Sequence, residues 1–449
     1  MPAGFGVAAI YSADRSEPGP SRFVGVLVSA SPGRQHDRMG QGLGAAFPAL
    51  RERHYRVFWI TGLVSNTGTA MQAVALDWYV LTITGSGTAV GWAIGLQYAP
   101  VLLFGLWGGS VVDRFPRRTV LLVAQTLYAL QAATLAVLVF TGTAQLWAIY
   151  ALSFLLGSVF LVENPTRLSF VSELVGRTLI PNAASLNIAS LTAARLTGPA
   201  IGGLLITWVG PGWVFAVNFV SFGVVIGGLL SIATRAAPRR ATISASAGVT
   251  YVLGRPGLVG VLAAFGVVAT FGLNFPITLT MFAGEEFGLG AWGLGVMSTA
   301  MAVGMVAGTV TVGRRVFPSV RTVMVAAVAF GVLECVAAVM PVYPAFLVVL
   351  AATGFAVMSL NTFVSAYVQL DVTEAVRSRV MAIYTVISMG GTPIGGPIIG
   401  WVSEHAGVRV GMAAGGVVSI AFGLGAALWF ARRGGLAVMP SPTSRAVST

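Results

Sequence analysis

The sequence predicts an all-α membrane protein whose twelve transmembrane helices form two pseudo-symmetric six-helix bundles. Three observations lead there. Hydrophobic residues make up 56% of the 449 residues and charged residues only 9%, with a mean hydropathy of +0.85. Charge acts as punctuation: residues 88 to 112 and 120 to 150 contain no Asp, Glu, Arg or His. Each stretch has at least the roughly 20 residues that a helix needs to cross about 30 Å of hydrocarbon. A soluble core helix would be shorter and would show a polar face. Finally, the two halves of the chain resemble one another at a nearly constant spacing.

Apolar runs broken by charge or by Gly, Pro and Asn turns give twelve spans: 57 to 82, 88 to 112, 119 to 141, 145 to 168, 182 to 209, 212 to 233, 257 to 283, 290 to 313, 322 to 341, 344 to 369, 378 to 403 and 410 to 431. An even number places both termini on one side. All 26 basic residues are Arg, and all but Arg195 and Arg409 fall in the N-terminal segment, the alternate loops, the adjoining helix ends or the tail. Basic residues near helix ends are retained in the cytoplasm, so both termini are expected there, in a multi-pass protein of the cytoplasmic membrane. The expected divisions are an N-terminal cytoplasmic extension over 1 to 50, bundles over 51 to 233 and 257 to 433, a central loop over 234 to 256 and a tail over 434 to 449. The extension reads as disordered, with a start at Met39 or a signal peptide as alternatives.

The repeat is carried by three matches. Gly105-x-x-Gly-Gly-Ser-Val-Val lines up with Gly304-Met-Val-Ala-Gly-Thr-Val-Thr, but Val312 falls where Asp113 would be. Gly198-Pro-Ala-Ile-Gly-Gly203 parallels Thr392-Pro-Ile-Gly-Gly-Pro397, and Asn164 with Glu173 parallels Asn361 with Asp371. Two similar halves related by an axis along the membrane normal can rock about a midplane cavity, which favours a carrier over a pore.

The formal charge of +12 does not indicate nucleic acid, because the arginines sit in short clusters between spans rather than on one folded face. The single cysteine, Cys335, excludes an internal disulfide and a thiolate metal cage and reads as a buried structural thiol. No metal or other cofactor is expected.

The motif Gly109-x-x-x-Asp113-Arg114-x-Pro116-Arg117-Arg118 resembles the signature between helices two and three of the major facilitator superfamily, with Pro116 replacing its usual glycine. The resemblance implies that Asp113 docks on the N-terminus of helix eleven, at Arg377 and Arg379, and latches the cytoplasmic side. A helix N-terminus and bidentate arginine both favour a carboxylate. Retention of the loop by its arginines is the plainer alternative. Gly198-Pro199-x-x-Gly202-Gly203 resembles the signature associated with antiporters of the superfamily, although generic helix packing explains it too. The stretches Val64 to Trp78 and Asn164 to Val175, with Leu179 to Ala183, are similar to the subgroup of enterobactin and macrolide exporters. That likeness implies export of small amphipathic molecules.

A charge at the bilayer centre costs at least about 2.5 to 3.5 kcal/mol on insertion scales, so each one needs a partner or a task. Asp77 in span one is the candidate proton or substrate carboxyl. The alternative is an acid wetted from outside. Arg195, one turn before Gly198, is expected to hold Asp77 or Glu163. Glu163, one turn before Arg167, reads more readily as structural. Glu334 sits in span nine, a helix expected to face outward, and receives no role. Of Asn66, Gln72, Gln97, Tyr98, Asn218, Asn274, Asn361 and Tyr384, two or three are expected to contact substrate and the rest to bond helix to helix.

These features predict a monomeric secondary transporter in the lipid bilayer, exporting a siderophore, macrolide or other drug-like compound by proton antiport. Proton-coupled import of a metabolite on the same fold is the alternative. No G-x-x-x-x-G-K-[ST] loop is present to bind ATP phosphates. An intramembrane enzyme is disfavoured, since His36, His54 and His405 lie outside the spans and no H-E-x-x-H or G-x-S-x-G element occurs.

Overall fold

The computed structural model describes residues 47–105, 115–232, 246–312 and 318–432. Packing divides the chain into two units, Met1–Ala46 and Phe47–Thr449, and the first lies outside the described residues. No strand occurs among the described residues. The first half contains α1 (Arg53–Thr84), α2 (Gly87–Phe104), α3 (Arg117–Phe140), α4 (Leu146–Leu174), α5 (Ile180–Val209) and α6 (Pro211–Ser231). A short α7 (Ser246–Leu253) precedes the second half. There, α8 (Pro256–Phe271) and α9 (Phe275–Met281) share the seventh span, followed by α10 (Gly290–Val312), α11 (Val320–Val339) and α12 (Tyr343–Asp371). The eleventh span is α13 (Glu374–Gly390) with α14 (Thr392–Ala406), and α15 (Val408–Arg432) is the twelfth.

Among the described residues, eleven segments are long and apolar enough to cross a membrane. The other span, α1, has 32 residues, about 48 Å of helix at 1.5 Å per residue. Its hydropathy is diluted by the polar residues Ser65, Asn66, Thr67, Gln72 and Asp77. Local chemistry sets the helix ends. Ser86 caps α2 by accepting from the Ala89 amide at 3.1 Å, and Ser319 caps α11 through the Thr322 amide at 3.2 Å. At the arginine-poor end, Gly85, Gly210 and Gly407 turn the chain with φ of 62°, 89° and 97°, a region that favours glycine.

Three expectations are corrected. The seventh and eleventh spans are not continuous: α8 stops at Phe271 and α13 at Gly390. Pro276 and Pro393 follow the two breaks and contribute to them, since each lacks an N–H and its ring crowds the carbonyl four residues back, at Gly272 and Met389. The central loop contains the helix α7. Glu334 is not turned outward but is buried, at 3% exposure.

The halves repeat one another in packing as well as in sequence. Gly157 of α4 rests on the Gln97 carbonyl of α2, and Gly354 of α12 rests on the Met301 carbonyl of α10. The spacing of this glycine pair falls within that of the repeated motifs. Exposed apolar side chains such as Leu130, Leu230, Val348 and Leu428 face outward, where lipid is the solvent.

Between the halves, α2 lies along α14 and α13, and α5 meets α10. Gly87 faces the Gly400 carbonyl and Gly91 that of Gly396, backbone against backbone. A Cβ on Gly203 would stand 2.6 Å from the Ala291 oxygen, and one on Gly295 2.6 Å from that of Pro199. All four contacts lie in the arginine-poor half. Toward the other end, α5 and α10 are joined by the Thr299 hydroxyl, which donates to the Leu196 carbonyl at 3.3 Å. Ile188, Leu191 and Arg195 are exposed there.

Candidate transport site

Helix α1 contributes the buried polar residues Ser65, Gln72 and Asp77. Asp77 is 8% exposed and has no hydrogen-bond or ion-pair partner among the described residues. Tyr98 of α2 lies within electrostatic reach of both Asp77 and Arg195 of α5, so three elements converge there. The expected ion pair of Arg195 with Asp77 or Glu163 is not formed. Glu163 pairs with Arg167 instead, at 3.5 Å, because a four-residue separation places both on one face of α4. Arg167 also donates to Asn66 Oδ1 at 3.2 Å, and Asn66 donates to the Ser190 hydroxyl at 3.2 Å. The guanidinium lies 5.6 Å from the Phe58 ring centre and over Gly62, where a Cβ would meet it at 2.5 Å.

A second buried network joins α1, α3 and α6. Asn218 donates to Gln72 Oε1 at 2.8 Å, Gln72 donates to Gln131 at 3.0 Å, and the Ser221 hydroxyl donates to Asn218 Oδ1 at 2.9 Å. In the second half, the Tyr384 hydroxyl bonds Asn361 Oδ1 at 3.2 Å and its ring stacks on Phe265. Most of the polar path residues therefore tie helices together.

Tyr98 and Asn274 instead line a cavity of about 160 Å³ between the halves. Its wall combines Ile94 and Tyr98 of α2, the break at Leu273 and Asn274, Pro276, and Ser388 with Thr392 beside the second break. Asn274 spends its amide on the Thr270 and Phe271 carbonyls, at 2.7 and 3.2 Å. Its Oδ1 is buried without a partner, an acceptor left for water or substrate.

The antiporter-like segment closes the arginine-poor half. Gly198 and Gly202 of α5 receive Ala70 and Met71 of α1, while Pro199 and Gly203 press on α10. Any side chain at these glycines would separate the helices. The halves are also joined by Glu404 at the end of α14. Its Oε2 accepts from the Ser86 hydroxyl, the Thr88 amide and the Thr88 hydroxyl, at 2.7, 3.0 and 2.6 Å.

Of the gating motif, Gly109, Asp113 and Arg114 lie outside the described residues. Arg117 pairs with Glu173 at 2.6 Å, and Arg118 donates to the Leu229 and Leu230 carbonyls at 2.8 Å each, capping α6. Arg377 pairs with Glu374 at 3.8 Å in the first turn of α13. Arg379 packs by its Cβ against Gly248 of α7. Sequence reading missed Glu404 and the Arg409–Glu286 pair at 2.8 Å. The available signal for Glu404 was an acid opposite the capping sequence Ser86-x-Thr88.

A family profile described as transmembrane secretion effector matches residues 44–434. The multidrug efflux pump Tap of Mycolicibacterium fortuitum is 27% identical over 367 residues, covering 77% of this chain and 88% of Tap. The enterobactin exporter EntS of Escherichia coli is 24% identical over 355 residues, covering 77% and 84%. Among solved structures, the nucleoside transporter NupG superposes with a TM-score of 0.69 at 12% identity, over 84% of this chain and 99% of NupG. A bacterial homologue of the human lysosomal transporter Spinster, inward-facing and unoccupied, gives 0.67 at 14% identity, over 85% and 98%.

Proposed function

The chain belongs to the transmembrane secretion effector family of the major facilitator superfamily, and we propose that it exports small amphipathic molecules by proton antiport. The observation that carries this reading is Asp77, a buried carboxyl with no ion-pair partner among the described residues and with the Tyr98 phenol within its electrostatic reach. An unpaired charge there is costly, so proton binding is the cheapest way to neutralise it, and a bound cation or polar substrate is the competitor. Release of the proton leaves a carboxylate that draws Arg195 toward α1. That movement shifts α5, whose Gly198–Gly203 face seals the arginine-poor half. Proton exchange and closure thereby act on one helix.

Export as the direction, and siderophores or drugs as the cargo class, are supported by what Tap and EntS are named for. The arginine distribution supports a cytoplasmic-membrane location with both termini in the cytoplasm. The Asp113 latch on Arg377 and Arg379 belongs to the same proposal. The test uses everted vesicles containing the full chain, an imposed proton gradient, and ethidium and a macrolide as probes. Accumulation inside wild-type vesicles that is lost in Asp77→Asn supports the reading. Accumulation unchanged by Asp77→Asn removes the coupling role, and movement outward instead identifies an importer.

A further inference from the structure

Glu334 is the buried charge-bearing side chain that the transport site does not use. It stands in the last third of α11, is 3% exposed, and its Oε2 is buried with no hydrogen-bond partner. Its Oε1 points at Gly415 of α15, where a Cβ would meet it at 2.8 Å. The same Cβ would meet the Phe271 carbonyl oxygen at 2.7 Å and Gly272 Cα at 3.3 Å. The carboxyl therefore faces, across a glycine, the last turn of α8 where the seventh span breaks. Gly272 is held from the other side by Phe330 and by the Ser419 hydroxyl, which itself donates to the Gly415 carbonyl at 2.9 Å.

Among the described residues, no cation faces this group. Helix α8 contains no Asp, Glu, Arg or His. On α15 the charges are terminal: Arg409 is bound to Glu286, and Arg432 ends the helix. On α12, Asp371 is terminal and paired with Arg255, and the phenols Tyr343 and Tyr367 lie near the two ends. The titratable neighbour on α11 itself is Cys335, whose thiol approaches the Ala413 carbonyl at 3.7 Å. Oε1 and the Phe271 carbonyl thus converge, and while the Asn274 amide serves that carbonyl at 3.2 Å, Glu334 Oε2 is left without a donor among the described residues. A carboxylate would add charge to that deficit, whereas a carboxylic acid brings its own donor.

We propose that Glu334 is a second proton-binding site of this carrier, outside the central cavity, which holds its proton while the seventh span is broken at Gly272–Asn274. Rearrangement of the break as the halves rock takes Phe271 and Gly272 off Glu334, admits water and releases the proton. Each half then carries one proton-binding carboxyl, Asp77 in the first and Glu334 in the second. This role in coupling rests on the proton-antiport reading above, but the carboxyl is observed without any substrate, so the two ideas fail separately.

The experiment is infrared spectroscopy of the purified full chain in detergent at neutral pH, reading the carbonyl band of protonated carboxylic acids. A band present in the wild type and in Asp77→Asn, and lost in Glu334→Gln, is the expected result. Gly415→Ala, which crowds Oε1, should displace that band and supplies the assignment if Glu334→Gln does not fold. Gly91→Val, which keeps α2 off α14, should reduce it several-fold. A wild-type protein without a band sensitive to either substitution has an ionised Glu334, which overturns the site. A band left at full intensity by Gly91→Val overturns its link to the helix break.

Discussion

Thr88 and Glu404 join the two halves of the protein: the first-turn amide and hydroxyl of α2 both donate to the carboxylate that ends α14, at 3.0 and 2.6 Å. A carboxylate at a helix N-terminus meets unpaired amides and the positive end of the helix dipole. With the Ser86 hydroxyl added, Glu404 clasps the arginine-poor end. Glu404→Ala should cost this closed arrangement about 1 to 2 kcal/mol, a roughly 5- to 30-fold change in population. In a Cys335→Ser background, a cysteine at Ile94 should then react correspondingly faster with an impermeant thiol reagent applied from that side. An unchanged rate would mean that the clasp contributes nothing to closure.

The seam beneath that clasp has no room for a side chain. Gly91 faces the Gly396 carbonyl so closely that a Cβ cannot fit, and the contact is backbone to backbone, with no flexible group to yield. Gly91→Val should hold the arginine-poor end apart, abolish efflux and leave the protein folded. Gly227→Val on α6, where nothing lies within 4 Å of the new Cβ, should retain transport and lose about 1 kcal/mol of stability or less. Drug-resistance assays with matched expression levels separate the two substitutions.

These relationships were only partly legible in the sequence. The spans, the repeat and the Gly198–Gly203 segment could be read because lipid demands apolar runs and close helix contact demands glycine. The two interrupted spans could not. Pro100, Pro165, Pro199 and Pro397 lie inside continuous helices, so a proline alone does not announce a break such as those at Pro276 and Pro393. Pairing of the buried charges depends on how neighbouring helices are rotated. Arg167 reaches Glu163 because both belong to α4, while the surroundings of Arg195 are set by α1 and α2. Glu404 acts across a separation of more than 300 residues, beyond any local pattern. Glu334 was misplaced because helical periodicity is uninformative in a span that is apolar all round.

The Gln131–Gln72–Asn218 chain should behave as one unit. Each amide is buried and bonded to the next, with Gln131 Nε2 left without a partner, so removing the middle member strands a group on both neighbours. Gln72→Leu should lower stability by about 2 to 4 kcal/mol, twice the roughly 1 to 2 kcal/mol of Gln131→Leu, because buried polar groups without partners carry a desolvation penalty. In the double substitution the losses should fall short of their sum. Thermal denaturation in detergent measures all three, and strict additivity would show that the network has no collective character.

Glu163 and Arg167 provide the sharpest test of what buried charge does in α4. Their side chains are 8% and 17% exposed, and the pair is long, at 3.5 Å, so its attraction offsets desolvation only in part. Removing one partner leaves the other charge buried: Arg167→Gln should destabilise the protein by about 3 to 5 kcal/mol, whereas replacing both partners can be nearly neutral. Rescue by Glu163→Gln/Arg167→Gln should nevertheless be incomplete, because Arg167 also supports Asn66 and through it Ser190. Denaturation midpoints of the single and double variants decide the point. A double variant no more stable than Arg167→Gln would assign the whole effect to the Asn66 contact, and a full recovery would assign it to the ion pair.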